Sequence, residues 1–353
     1  MKRCTHCILP DTVPGVEFDE EGVCSFCRSF EQKPLLGEAA LLQKIEAARA
    51  KKRKYDALVP MSGGRDSTYV LYQAVKQWGL HVLAISYDNE FRYPQALANI
   101  EEACRRLNVE FRNIRSQNEI ASSMVRSSVL SVTDFAQIPN KLCRACGYGY
   151  NSTAFRTAEE ENAPLILWGA SSTENTQAIA RPAFAAIWHH PRWLQLTRPA
   201  FYAYQYYGLR QRMEFPITGN KTFSRSNPKL VTEGIDSVRI FDYVEWNRAE
   251  IKRTIMEELG WKKTEGHVST WRNDCTLHPL MNFIHAKLFG CTKDCWGYCS
   301  MINVGQMTRE EALSQEEETL RRLDETELEE LLVERVGIPR RAARRITSYQ
   351  GMA

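Results

Sequence analysis

Three features that would place the protein in a membrane, a secretory pathway or on nucleic acid are missing from its sequence. It has no apolar run of about 18 residues, the length that a membrane-spanning helix needs. Residues 1–7 lack the apolar core of a signal peptide. The net charge of +3 over 353 residues disfavours a chain-wide surface for nucleic acid. We therefore expect a cytoplasmic protein, large enough for two modest domains, that does not bind membranes.

The Walker A pattern is absent too, but a different glycine loop, SGGRDS, occupies Ser62–Ser67. Tyr55–Pro60 before it has the pattern of a short buried strand, and Thr68–Trp78 after it has the apolar spacing of a helix. A glycine loop that leads into a helix favours phosphate, because backbone N–H groups and the helix dipole converge there. The two serine hydroxyls and the Arg65 guanidinium would add contacts to the phosphates.

Further strands and helices alternate along the chain and predict an α/β fold with a doubly wound parallel sheet. His81–Asn89 is a predicted buried strand that ends in polar residues. Ligands bind at the carboxyl ends of such strands, so Ser86 and Asp88 are candidates for holding the adenosine of ATP. The predicted strand Ala163–Ala170 contributes Gly169 to the same set of candidate ATP-binding residues. A last strand is predicted over Arg239–Val244.

Two CxxC pairs stand at the start of the chain, formed by Cys4, Cys7, Cys24 and Cys27. Each pair can place two thiolates on one side of a tight turn, and two such turns make a tetrahedral site for structural zinc. So short a segment has few apolar residues, and bound metal would supply its missing stability. An iron–sulfur centre is the alternative.

The remaining cysteines include a third CxxC pair, Cys143 and Cys146, at the predicted start of a helix that runs to Glu160. A helix dipole lowers the pKa of thiols at its N-terminus, which suits a metal or a reactive persulfide. Cys275 and the later group Cys291, Cys295 and Cys299 follow at a distance.

The pattern divides the chain into a cysteine knuckle over residues 1–35, a nucleotide domain over 36–305 and a helical segment over 306–353. Residues near 181–225 form an aromatic and arginine-rich insertion. We interpret this insertion as packing on the core or on a partner subunit in a homodimer, with base or sugar stacking as the alternative.

Several stretches together resemble the N-acetyl sugar amidotransferase family of PP-loop ATP pyrophosphatases, which has the adenine nucleotide alpha hydrolase-like fold. The matching stretches are Cys4–Cys7, Leu9–Thr12, Phe18–Cys24, Ser62–Ser67, Ile240–Tyr243, Glu258–Trp261 and Gly305–Leu313. The resemblance implies that Ser62, Gly63, Gly64, Asp66 and Ser67 bind ATP phosphates with Mg²⁺. It also implies that ammonia from a separate glutaminase displaces AMP from an adenylated carbonyl oxygen to give an amidine.

The later cysteines are similar instead to those of the tRNA-thiolating PP-loop enzymes. In those enzymes a CxxC pair and a distant third cysteine hold a [4Fe–4S] cluster with one iron open. The resemblance implies that Cys143, Cys146 and Cys275 are the ligands, with Cys291, Cys295 and Cys299 as alternates. A second zinc site built from Cys143, Cys146 and two of the later cysteines is the competing interpretation.

The function that we predict is adenylation of a carbonyl or amide oxygen, with release of pyrophosphate and then AMP, followed by replacement of the oxygen by sulfur. Asp66, Arg65, Cys143 and Cys146 are the predicted catalytic residues. A small-molecule acceptor is favoured over a nucleic acid because the chain is nearly neutral, and a sulfur donor or glutaminase would be the partner. Amidine formation is the first alternative, and a zinc-ribbon RNA-binding or adaptor protein is the second.

Overall fold

The structure is a computed structural model that describes residues 1–115, 119–130, 138–170, 179, 206, 234–268, 270 and 272–349. Within these residues no helix is both long enough and apolar enough to cross a membrane. The aromatic insertion predicted near 181–225 lies almost wholly outside them.

A five-stranded parallel sheet forms the centre of the fold, in the order β3-β2-β1-β4-β5. The strands are β1 Ala57–Pro60, β2 Val82–Asp88, β3 Glu110–Arg115, β4 Leu165–Trp168 and β5 Asp236–Arg239. The strand order reverses between β1 and β4, and the carboxyl ends of parallel strands form a binding crevice at such a switch point.

Both faces of the three central strands are buried, as the apolar runs in the sequence predict. Val59, Ala84 and Leu167 belong to one core with the helices Arg65–Tyr72, Pro94–Leu107 and Arg248–Leu259. Their neighbours Leu58 and Ile166 point to the opposite face and pack on the helix Ile138–Glu160. Helices therefore cover both faces, and the predicted doubly wound α/β fold is confirmed.

The helices of the described residues connect the strands and extend past the last one. They are α1 Ser25–Arg28, α2 Glu38–Arg49, α3 Arg65–Tyr72, α4 Pro94–Leu107, α5 Ile120–Leu130, α6 Ile138–Glu160, α7 Arg248–Leu259, α8 His278–Phe289, α9 Lys293–Asn303, α10 Arg309–Arg321, α11 Glu325–Glu330 and α12 Arg340–Thr347. Short π-helical segments, Gln73–Gln77 and Leu331–Val336, continue α3 and α11.

The last strand differs from the prediction of Arg239–Val244. The observed β5 begins at Asp236 and ends at Arg239, and Ile240–Asp242 forms a 3₁₀ turn. β5 pairs residue for residue with the four residues of β4, so the length of its partner ends the ladder at Arg239. Ile240 and Phe241 are nevertheless buried, which is why their apolar character resembles that of a strand.

The knuckle and the C-terminal helices pack against each other. Arg309 at the start of α10 donates hydrogen bonds to the carbonyls of Cys4 and Cys7, at 3.1 and 2.9 Å. Asn303 at the end of α9 donates to Cys27 Sγ at 3.3 Å. Both chain ends also belong to the same hydrophobic core as one face of the sheet. The separate units predicted over 1–35 and 306–353 therefore share a core, and the three-domain division stays a prediction.

Candidate active site

The glycine loop lies between β1 and α3, at the carboxyl edge of the sheet. Gly63 has a φ of +82°, and a Cβ added there would stand 2.1 Å from the carbonyl oxygen of Ala96. Only glycine can take this left-handed turn against the backbone of α4. Gly64 is the N-cap of α3 and brings no side chain to the helix end. The N-terminus of α3 therefore faces the crevice as a site that suits phosphate.

Hydroxyl groups hold the loop in this shape. Ser67 Oγ accepts a hydrogen bond from the Ser62 N–H at 3.3 Å and lies 3.3 Å from Ser62 Oγ. Ser62 Oγ accepts from the Gly64 N–H at 3.1 Å. The structure thus gives both predicted phosphate-binding serines a second role, since each one also orders the loop.

A segment nearly two hundred residues away fixes the Gly63 carbonyl. Trp261 Nε1 donates to this oxygen at 3.0 Å, and Asn99 Nδ2 approaches it at 3.5 Å. Trp261 can reach it because Gly260, with a φ of +65°, ends α7 in the left-handed conformation. The Glu258–Trp261 stretch of the family resemblance is thus the element that positions the loop.

Arg65 and Asp66 are paired with each other. Arg65 donates two hydrogen bonds to the Asp66 carboxylate, at 2.9 and 3.1 Å, and a third to Thr270 Oγ1 at 3.1 Å. Trp246 Nε1 donates to Asp66 at 2.9 Å, and its ring lies 4.9 Å from the guanidinium carbon. The charge of Arg65 is therefore paired with the neighbouring carboxylate, and the contact of Arg65 with the phosphates stays a prediction.

A cavity of about 500 Å³ opens over the loop, within the usual range for ligand sites. Of the candidate ATP-binding residues, those that line it are Ser62, Gly64, Arg65, Asp66, Ser67, Ser86 and Gly169. A Cβ at Gly169 would stand 2.7 Å from the Ser67 nitrogen, so this glycine lets β4 close onto the start of α3. Ser86 Oγ accepts from Arg92 at 2.6 Å.

Two of the candidate ATP-binding residues are not among the lining residues. Gly63 forms the turn of the loop on the side that faces the Ala96 carbonyl, away from the cavity. Asp88 caps its own turn, since its Oδ1 accepts from the Glu90 N–H at 2.9 Å. Asp88 thus lies at the end of β2 as predicted, but one of its carboxylate oxygens stabilises the following turn.

Cys143, Cys146 and Cys275 line the same cavity as the loop. The first two come from α6, whereas Cys275 is held there by an isolated bridge between its residue and Arg92. Thr276 strengthens this contact, because its N–H and hydroxyl both donate to the Phe91 carbonyl, at 2.7 and 3.0 Å. The chain therefore brings the three thiols predicted as cluster ligands to one cavity.

The electrostatic setting of these thiols differs from the prediction. α6 begins at Ile138, so Cys143 and Cys146 lie past its first turn, where the dipole effect has faded. Burial raises the pKa of Cys146 to about 12, although Asn89 Nδ2 donates to its sulfur at 3.3 Å. Burial also raises the pKa of Cys275 well above its ordinary value. Without a bound metal or cation, both are thiols rather than thiolates.

The alternate ligands Cys295 and Cys299 lie on the face of α9 that points away from the cavity. Lys293 and Gly297 of α9 line the cavity, and residues two positions further along point the opposite way. Cys295 Sγ donates to the carbonyl of Ile8 at 3.9 Å, next to the knuckle. Cys291, Cys295 and Cys299 are buried and do not line the cavity. These three residues therefore do not share the cavity of Cys143, Cys146 and Cys275, and their role as alternate ligands, like the second zinc site, stays a prediction.

Five cavity residues with acidic or basic side chains were not predicted from the sequence. They are Arg92, Arg272, Asp274, His278 and Lys293. Asp274 lies beside the loop, with Oδ2 3.6 Å from the position of an added Cβ on Gly64. Burial, and next the charge of Arg272, lower the pKa of Lys293 to about 8. The charged stretch Arg272–Asp274 directly before Cys275 is the one sequence signal that could have drawn attention to them.

The knuckle brings four sulfur atoms together. The Sγ atoms of Cys4, Cys7, Cys24 and Cys27 all lie within 4.8 Å of one another. Those of Cys7 and Cys24 are 3.7 Å apart, and tetrahedral zinc with Zn–S bonds of about 2.3 Å needs about 3.8 Å. Backbone N–H groups of Cys7, Leu9 and Cys24 donate to these sulfurs, which suits thiolates. The donor set therefore fits structural zinc.

Comparison with known proteins supports a PP-loop domain. Residues 56–177, about a third of the chain, match the family described as Queuosine biosynthesis protein QueC. This segment begins at β1 and contains the loop and β4. Together with the parallel sheet, the match supports an ATP-using enzyme of the PP-loop class. No curated protein matches the chain.

Two solved structures show how far the likeness of the whole chain extends. The U34-tRNA thiolase NcsA from Methanococcus maripaludis with its [4Fe-4S] cluster is 13% identical, and 87% of each chain is covered at a TM-score of 0.37. The NMN synthetase from Francisella tularensis is also 13% identical, and 53% of this chain and 97% of that one are covered at a TM-score of 0.29. Because these TM-scores are low, the assignment to the PP-loop class rests on the sheet, the loop and the family match.

Proposed function

We propose that the protein uses ATP to adenylate a carbonyl or amide oxygen of a small acceptor and then replaces that oxygen with sulfur. The observation that supports this proposal most directly is that Cys143, Cys146 and Cys275 line the same cavity as the ATP loop. Thiols placed beside the phosphate site can act on the carbon that adenylation has just activated. Cysteines on a surface away from the ATP loop could not reach that carbon.

In the first step the acceptor oxygen attacks the α-phosphate, and pyrophosphate leaves. The N-terminus of α3 and the Ser62 and Ser67 hydroxyls bind the phosphates where negative charge accumulates. The carboxylates of Asp66 and Asp274 line the cavity and are oxygen ligands that Mg²⁺ accepts. Asp66 keeps this position because Arg65 and Trp246 hold its carboxylate.

In the second step a sulfur nucleophile attacks the same carbon, and the C–O bond breaks as AMP leaves. Three cysteines that line one cavity are the number of thiolate ligands that a [4Fe–4S] cluster needs when one iron stays open. Such a cluster would supply bound sulfide. Cys143 is exposed toward the cavity, whereas Cys146 is half-buried and held by Asn89.

Ammonia in place of sulfide would give an amidine by the same first step, with a glutaminase as partner. The N-terminal knuckle and the Glu258–Trp261 stretch support this alternative through the family resemblance alone. The three cavity thiols have no role in it, and for this reason we favour sulfur.

The adenylation step is tested by following pyrophosphate and AMP. The protein is incubated with Mg²⁺ and ATP, together with either the small-molecule fraction or the tRNA fraction of a cell extract. We expect stoichiometric pyrophosphate and AMP with the small-molecule fraction only. Release with tRNA alone would identify a nucleic-acid acceptor, and release with neither fraction would support an adaptor protein and refute the proposal.

A matched pair of glycine variants assigns the activity to the loop. Gly63→Ala should abolish pyrophosphate release, since the added Cβ meets the Ala96 carbonyl at 2.1 Å. Gly37→Ala is the control, because Gly37 has a similar φ of +87° but no atom within 4 Å of an added Cβ. Equal activity of the two variants would contradict the loop assignment.

A further inference from the structure

A group of basic side chains lies on one wall of the cavity. The wall is formed where α8 begins at His278 and α9 begins at Lys293, with Arg272 in the preceding segment. All three side chains line the cavity. The N-termini of both helices add partial positive charge at the same place.

The carboxylate of Asp294, next to Lys293 in the chain, already accepts hydrogen bonds. Asp294 is buried, and it accepts hydrogen bonds from His278 Nε2 at 2.8 Å and from Asn282 at 3.0 Å. In the part of the chain that the structure describes, the Lys293 ammonium makes no hydrogen bond or ion pair, and it lies 4.5 Å from the ring centre of Trp296. A half-buried ammonium with only a cation–π contact is a strong binding group for an anion.

These basic side chains share the cavity with both the loop and the thiols. Arg272 lies in the segment between Thr270, which accepts a hydrogen bond from Arg65 of the loop, and Asp274, whose carboxylate lies beside Gly64. His278 is joined to the thiol segment directly, since its N–H donates to the Cys275 carbonyl at 3.1 Å. An acceptor that lies between the loop and the thiols would therefore contact Lys293 and Arg272, whereas the ATP phosphates would lie at α3.

We propose that Lys293 and Arg272 form an anion subsite that binds a phosphate or carboxylate group of the acceptor. The acceptor is then an anionic small molecule, and the subsite holds it with its carbonyl between the loop and the thiols. Its assignment to the acceptor rests on the proposed function, but the binding of an anion there does not.

The test uses inorganic phosphate as the probe and the full chain saturated with Mg²⁺ and α,β-methylene-ATP, which cannot be split at the bond in question. The thermal unfolding midpoint is followed against phosphate concentration, with chloride at matched ionic strength as the reference. A ligand that binds only the folded state raises this midpoint. We expect phosphate to raise it in the wild type, and Lys293→Gln to weaken phosphate binding at least about tenfold.

Two further variants keep the test decisive. Arg272→Asn removes the second charge, and asparagine tolerates the φ of 46° at this position. We expect the same loss of phosphate binding. Lys287→Gln is the control, because Lys287 lies on α8 away from the cavity and pairs with Glu325 at 2.8 Å. It should bind phosphate like the wild type.

The outcomes separate the anion subsite from the ATP site. If Lys293→Gln weakens α,β-methylene-ATP as much as phosphate, the cations belong to the ATP site and the proposal is overturned. If phosphate does not bind the wild type, or binds both cavity variants unchanged, the proposal is also overturned. A protein that binds phosphate through Lys293 but releases no pyrophosphate with any acceptor pool would refute the proposed function and leave the subsite intact.

Discussion

Replacing Trp261 by phenylalanine tests whether a distant segment holds the ATP loop in place. The substitution keeps an aromatic ring but removes the indole N–H that donates to the Gly63 carbonyl at 3.0 Å. A buried carbonyl that loses its partner costs about 1–3 kcal/mol. Asn99 remains at 3.5 Å and offsets a part of this cost. We therefore expect Trp261→Phe to lower the free energy of unfolding by about 1–2 kcal/mol.

The same substitution should also weaken nucleotide binding, because the Gly63 carbonyl belongs to the loop that binds the phosphates. Because 1.4 kcal/mol corresponds to a factor of ten, we expect about tenfold weaker binding of α,β-methylene-ATP, measured by calorimetry. Unfolding is followed by circular dichroism, which does not depend on tryptophan emission. Trp78→Phe is the control, since Trp78 is buried but its indole makes no hydrogen bond to the loop. Nucleotide affinity equal to the wild type in Trp261→Phe would refute the reasoning.

Two other predictions concern the knuckle and a buried carboxyl group. Cys24→Ser should lose the bound zinc and have a lower unfolding midpoint. Cys104 is also buried but lies outside the knuckle, so the control variant Cys104→Ala should keep its zinc in metal analysis. Zinc retained in Cys24→Ser would exclude the four-cysteine site. Burial raises the pKa of Glu316 to about 7 from its ordinary 4.5. The folded state therefore holds a proton that the unfolded state releases between these values, so the wild type should lose up to about 3 kcal/mol of stability as pH rises from 4.5 to 7. Glu316→Gln should remove this loss in denaturant titrations, and equal pH slopes for both proteins would contradict the assignment.

The features that the sequence predicts well are local ones. The strand–loop–helix unit around Ser62–Ser67 depends on residues adjacent in the chain, and its structure follows from glycine conformations and apolar spacing. The four-cysteine knuckle likewise depends on two short turns with fixed CxxC spacing. The alternation of helices and apolar strands was enough to predict the parallel sheet.

The features that the sequence misses depend on long-range contacts. Arg65 pairs with Asp66 beneath Trp246, which comes from a segment 180 residues later. Asp274 and Lys293 reach the cavity only because Cys275 forms a bridge to Arg92, four residues after β2, and α9 contributes to the same cavity. Spacing along the chain gives no distance for such pairs, so the sequence pattern could name the thiols but not the charged side chains that share their cavity.

The helix face of the late cysteines is an intermediate case. Cys295 and Cys299 lie four residues apart and so share one face of α9. The sequence could establish this shared face, but not that it points to the knuckle instead of the cavity. The direction of this face depends on how α9 packs between the cavity and the knuckle.

The central claim is that the three cavity thiols hold a sulfur-delivering cluster beside the ATP loop. The most direct measurement is the iron, zinc and acid-labile sulfide content of protein purified without oxygen. We expect about four iron atoms and about four sulfides per chain beside about one zinc, with Cys275→Ser losing the iron and keeping the zinc. About two zincs and no iron, or iron retained in Cys275→Ser, would contradict the claim, and the first result would favour amidine formation with a glutaminase partner.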